Sequence, residues 1–205
     1  MNIWAGKLML GGSKILDMVD NIRDSPPPVS LNEEDMDELK EVIVDLLALN
    51  EYLYHKRVQK LVFAGDILAA QKTGHRLTDA SFCPYSYGPY SKAVEQGLKE
   101  LVEEGRVTRN IRVPNKKYYT TDETGGELSP RKKHIVRTVW ERYKGVPTDD
   151  VVEDVKDTWV YEQFDECEEI DFARFIDECV RPPNTEIPEE KNPISEDETK
   201  DILTQ

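Results

Sequence analysis

The sequence predicts a mainly helical fold with one small two-stranded β-hairpin, set in the order in which a winged-helix module arranges its elements. Three observations predict it. Apolar residues recur at three- and four-residue spacing over most of the chain, the signature of helices with one buried face. Glycines and helix-capping residues fall at the ends of these stretches. Only the segment after Gly105 changes to a period of two.

The first 29 residues precede this pattern. Gly6, Gly11 and Gly12 interrupt any helix, and Pro26-Pro27-Pro28 reads as an extended linker. Gly6 and Gly11 have the spacing that opens a phosphate-binding loop. Gly12 and Ser13 stand where that loop needs Lys and then Ser or Thr, so the motif is rejected. Ser30 and Glu33 form a capping box for a first helix, whose apolar face runs from Met36 through Leu39, Val42, Ile43, Leu46 and Leu47 to Leu53. A break near Tyr54 precedes a second helix through Val58, Leu61, Val62, Gly65, Leu68 and Ala69, with Gly74 as its stop.

Residues 78–89 suit a loop. A third helix carries Tyr90, Val94, Leu98, Leu101 and Val102 and ends at Gly105. In the hairpin, Val107, Arg109, Ile111 and Val113 share one strand face, Pro114-Asn115 turns the chain, and residues 117–121 return. Ser129-Pro130 starts a helix with Ile135, Val136, Val139, Trp140 and Tyr143 on its buried face. Thr148 caps the next, which carries Val151, Val152, Val155 and Trp159. A last short helix holds Phe172, Phe175, Ile176 and Cys179 before Pro182-Pro183. The expected organisation is an extension over 1–29, a helical domain over 30–181, and an acidic, disordered tail over 182–205.

Charge narrows the function. The formal net charge of -14 opposes nonspecific binding to polyanions. Between Gly105 and Gly145, however, eleven basic residues face four acidic ones. No run of ~18 apolar residues is present, which excludes a membrane span. The start of the chain lacks the basic and apolar regions of a signal peptide. Cys83, Cys167 and Cys179 have spacings that suggest neither a disulfide framework nor a zinc site, so a cytoplasmic setting is expected. His55, His75 and His134 share no ligand spacing, and no Ser or Cys stands in a nucleophile motif. Neither a cofactor nor an enzymatic activity is expected.

Two motifs carry a resemblance. Arg57-Val58-Gln59-Lys60-Leu61-Val62-Phe63 lies on the second helix. Tyr85-Ser86-Tyr87-Gly88-Pro89-Tyr90 leads into the third, followed by Leu101-Val102-Glu103-Glu104-Gly105. This resembles the Panacea (SocA-like antitoxin) family, in which a Lys-Leu-aromatic helix precedes an aromatic-Gly-Pro turn. Tyr119-Thr120-Thr121 with Gly125, and the helix after Pro130, are similar to the family's C-terminal half. The resemblance covers about Leu39 to Phe164. It implies a domain that neutralises toxins of several unrelated kinds by binding them, without chemistry of its own, the partner being a separate protein, such as a toxin encoded nearby.

The candidate partner-binding residues are Lys56, Arg57, Lys60, Tyr85, Tyr87 and Tyr90. The lysine and arginine side chains read as the polar side of the second helix, a solvated face or a receptor for an acidic partner. Tyr87-Gly88-Pro89 also reads as shaping its turn, which leaves Tyr85 and Tyr90 as the expected exposed pair. Arg106, Arg109, Arg112, Lys116 and Lys117 form a second, possible nucleic-acid-binding set. They would lie along phosphates, dock onto the chain's own acidic helices, or receive an acidic protein.

Overall fold

The structure is a computed structural model that describes residues 25–113 and 116–180, the side chains of Arg112 and Val113 excepted. The Gly6/Gly11 segment, the Pro114-Asn115 turn, the Pro182-Pro183 stop and the acidic tail lie outside the described residues. The described part is mainly helical. In chain order come α1 (Glu33–Ala48), β1 (Leu53–Tyr54), α2 (His55–Thr73), α3 (Lys92–Glu103), β2 (Thr108–Val113), β3 (Lys116–Thr120), α4 (Pro130–Tyr143), α5 (Thr148–Lys156) and the short α6 (Trp159–Glu162) and α7 (Phe172–Phe175). A π-helical turn, Ile176–Val180, follows α7 directly and takes Ile176 and Cys179 out of the expected last helix.

The sheet has three strands, not two. Leu53 and Tyr54 pair with Tyr119 and Tyr118, which gives the order β1-β3-β2, all antiparallel. Leu53 therefore leaves the face of α1 that its spacing suggested. A two-residue strand shows no period of its own, and only its partner reveals it. The resulting order of elements does not conflict with a winged-helix layout.

Several helix ends differ from the expected ones. Asn32, not Ser30, caps α1, its side chain accepting the Asp35 amide at 2.9 Å. That choice puts Glu33, Glu34 and Asp35 in the first turn, where the helix dipole favours negative charge. Tyr90 precedes α3, whose cap is Ser91. Thr148 is the first residue of α5 rather than its cap, with Pro147 before it, and Trp159 belongs to α6. Ser129 caps α4 as expected, while Trp140 is only half-buried beneath Lys144. Gly74 ends α2 in the left-handed conformation at φ 69°, where a side chain would be strained.

The core sits around α2. This helix packs against α1, α3, α4, α5, β1 and β3. Between Val58 and Ala70 nearly every side chain is buried, whichever way it points. A helix enclosed on all sides has no solvated polar face, and that fact decides where the candidate site lies.

Candidate functional site

Arg57, Gln59 and Lys60 of α2 do not form a free surface. Lys60 is only 2 % exposed, and its Nζ donates to the Pro89 carbonyl at 2.6 Å. Burial, with help from the nearby Lys56 and Lys156 charges, lowers its pKa to about 7. Gln59 makes a two-way amide pair with Ser91, donating to its carbonyl at 3.0 Å and accepting its N–H at 2.9 Å. Arg57 donates to the Tyr143 and Val146 carbonyls at 2.6 and 2.7 Å, closing the end of α4. The expectation of a solvated face is thus overturned for Lys60, which is buried on the Pro89 carbonyl, and the half-buried Arg57 is turned inward onto the carbonyls at the end of α4.

What these residues hold is the aromatic turn. Cys83 and Tyr90 exchange backbone hydrogen bonds at 3.0 Å and pinch off the intervening loop. Gly88 within it has φ 85° and lies so close to Lys60 that an added Cβ would stand 3.2 Å from Cε. The loop therefore projects residues 85–87. Tyr87 is the most open of the three tyrosines at 69 %, with Tyr85 at 38 %. Tyr90, expected to be exposed, is half-buried with its hydroxyl donated to Glu95, and burial followed by that bond raises its pKa. The exposed pair is Tyr85 and Tyr87, because the Lys60–Pro89 contact fixes the turn from its far end.

The basic set divides. Arg106 is held between Glu41 (2.6 Å) and Glu123 (2.9 Å), in agreement with docking onto the chain's own acidic helix. Arg109, Lys116 and Lys117 are exposed. Among the described side chains of the hairpin's expected strand face, only Val107 is buried, while Ile111 is 67 % exposed, since the hairpin extends past the edge of the core. Ile111 pairs with Lys117 in register. It therefore shares a sheet face with Arg109 and Tyr119, two residues along from each.

A cavity of about 530 Å³ lies under this overhang, lined by Tyr54, His55 and Lys56 at the start of α2, Glu95 of α3, Lys116, Lys117 and Tyr119 of β3, and Thr148 and Asp149 at the start of α5. It joins members of the two sets that the sequence kept apart. Lys56 pairs with Asp149 at 2.7 Å and lies 5.3 Å from the Tyr87 ring centroid. On the other side, the Tyr85 and Tyr90 rings are 5.5 Å apart, and Tyr90 reaches Glu95. Cleft and aromatic turn are one continuous surface.

Sequence reasoning missed His55, Glu95, Tyr119, Thr148 and Asp149. His55 Nε2 is buried without a hydrogen-bond partner, and burial lowers the pKa of the ring, which is therefore neutral at pH 7. Neither α2 nor α5 has a side-chain cap, and both begin at the cleft. No signal in the sequence brings these helix starts together. Among the described residues no group of three His, Cys, Asp or Glu side chains is placed to hold a metal ion, and no helix is long and apolar enough to cross a membrane.

Residues 58–160 match the family model described as an antitoxin SocA-like, Panacea domain. No curated protein and no solved structure matches the chain.

Proposed function

The chain belongs to the Panacea family of SocA-like antitoxins, and from that premise we propose that it acts in the cytoplasm by binding, neutralising or escorting a toxin-like protein across the cleft and the aromatic turn. The observation that carries this reading is the continuity of the two: Tyr87 leads to Lys56 and Tyr85, through Tyr90, to Glu95, both on the cleft wall. Tyrosines give wide contact area at little entropic cost. Lys116 and Lys117 beside them favour an acidic segment of the partner.

The test is co-expression with the product of the neighbouring reading frame in its genome, followed by calorimetric titration of the purified pair. Tyr85→Ala with Tyr87→Ala is expected to cost about 2 kcal/mol, roughly thirtyfold in affinity, with an unchanged melting curve. Unaltered affinity removes this surface from the reading.

Exposed Arg109, Lys116 and Lys117 also support a second reading, a regulator that lays the hairpin along nucleic acid. Against it, α3, which precedes the hairpin as a recognition helix would, exposes Glu95 and Glu103 beside Lys99. A mobility-shift titration on random duplex DNA at two salt concentrations separates the readings. Binding that collapses with salt and with Arg109→Glu promotes the second, and no shift at low salt dismisses it.

A further inference from the structure

Cys83 and Cys167 are far apart in sequence and meet in the fold. Cys83 is fully buried at the base of the aromatic loop. The chain around Cys167 runs back across that loop as a strap. The Cys167 amide donates to the Pro84 carbonyl at 2.9 Å and the Ile170 amide to the Phe82 carbonyl at 2.8 Å. Tyr161 reaches the Tyr85 carbonyl and Ser86 reaches Glu166, each at 3.4 Å, and Ser81 bonds Glu169. The Cys167–Pro84 bond sets Cys167 against the chain neighbour of Cys83 and brings the two cysteine side chains within reach of each other. Cys167 also has φ 63°, the one positive value outside glycine among the described residues, so the strap turns sharply at this position.

We propose that Cys83 and Cys167 are the two halves of a reversible disulfide that converts the strap into a covalent clamp on the aromatic turn, with hydrogen peroxide as its oxidant. Cys167 is half-exposed while Cys83 is fully buried, so Cys167 is the member of the pair nearer to solvent. Its sulfur attacks one peroxide oxygen as the thiolate, the O–O bond breaks, and the departing hydroxide takes up the proton that the thiol gave up, so the products are a sulfenic acid and water. The Cys83 sulfur then attacks the sulfenic sulfur. The S–S bond forms, the S–O bond breaks, and the hydroxyl leaves as water with the Cys83 proton. Two electrons pass from the two sulfurs to one peroxide, which ends as two waters. Burial pushes the Cys83 thiol up to about 12, and the Cys167 neighbour adds to the shift. Cys83 is therefore the resolving sulfur and not the first target. The loop so closed is long, so the cross-link removes much freedom from the unfolded chain and raises the melting temperature. A reducing cytoplasm keeps the pair as thiols until oxidant accumulates.

The full chain, fully reduced, is treated with hydrogen peroxide, and its thiols are then counted in denaturant. The expected result is one remaining thiol of the three, a proteolytic fragment joining Cys83 to Cys167, a higher melting temperature, and full reversal by dithiothreitol. In Cys179→Ser the same fragment forms and no thiol remains. In Cys167→Ser no intramolecular fragment forms and Cys83 stays a thiol; this variant changes a half-exposed site and serves as the control even if Cys83→Ser fails to fold. Three surviving thiols, a sulfinic acid on Cys167 beside an unreacted Cys83, or linkage through Cys179 between molecules would each overturn the proposal. None of these outcomes depends on the partner, so the clamp and the antitoxin reading fail separately.

Discussion

α2 and the β2–β3 hairpin both carry basic residues, and the fold uses them in opposite ways. On α2, Lys60 and Arg57 are fastened to carbonyls of other elements. On the hairpin, Arg109, Lys116 and Lys117 remain in solvent. The difference comes from position. α2 is enclosed by the other helices and the sheet, so a cation there must find an internal acceptor or meet a large desolvation cost. The hairpin extends beyond the core and faces no such demand. A central helix turns charge into architecture, and a peripheral strand leaves it for recognition.

The sharpest way to break this contrast is at Asp66, the fully buried carboxylate of α2. It accepts from the Leu77 and Thr78 amides at 3.1 and 2.7 Å, from the Thr78 hydroxyl at 3.1 Å, and from Arg76 at 2.6 Å. Asp66→Ala leaves Arg76 with no carboxylate partner and strands two amides. The expected loss is about 3–5 kcal/mol in denaturant unfolding followed by circular dichroism. A loss under about 1 kcal/mol would mean that α2 is not fastened through its buried polar groups.

Lys60 gives the next largest effect, and it depends on pH. Its pKa falls from 10.5 in the unfolded chain to about 7 in the fold. Between those values the unfolded state binds the proton and the folded state does not, so stability rises with pH across this window. Below about 7 both states are charged, and the burial penalty is complete. Lys60→Met is expected to flatten the rise between pH 7 and 10 relative to the parent chain. Parallel curves would place the ammonium in solvent.

Arg57→Ala comes third. It removes two charge-assisted bonds that close the end of α4 from a half-exposed side chain, and about 2 kcal/mol is expected from the same unfolding curves. An unchanged midpoint would show that Gly145, at φ 76°, ends α4 without help.

Helices with a free face were legible in the sequence, and so were the ends marked by glycine or by Ser-Pro. The apolar spacing of α2 through Val58, Leu61, Val62 and Gly65 suggests one buried face with Lys60 on a polar side, whereas the helix is enclosed all round. The run from Val58 to Ala70 holds only Gln59, Lys60 and Asp66 as polar residues, a density that marks a helix buried all round. β1 was invisible because two residues carry no period. The cleft was hidden for a different reason. Its lining comes from the starts of α2 and α5, from α3 and from β3, and only tertiary packing brings Lys56 and Lys117 to one wall. The residues of the motif Arg57–Phe63 carried the family resemblance correctly, yet their chemistry is that of the scaffold presenting Tyr85 and Tyr87.

Lys116→Glu with Lys117→Glu has the smallest expected effect on stability and bears most directly on the hairpin's side of the contrast. Both side chains are exposed, and surface substitutions of this kind stay within about 0.5 kcal/mol. Partner affinity should fall nonetheless, and with it the salt dependence of binding, since added salt screens only the charges that steer the encounter. If the double variant instead unfolds more easily by over about 1 kcal/mol, the hairpin lysines are spent on the protein's own acidic surface, as Arg106 is on Glu41 and Glu123. The two regions would then follow one rule, and the cleft would lose its claim on an acidic partner.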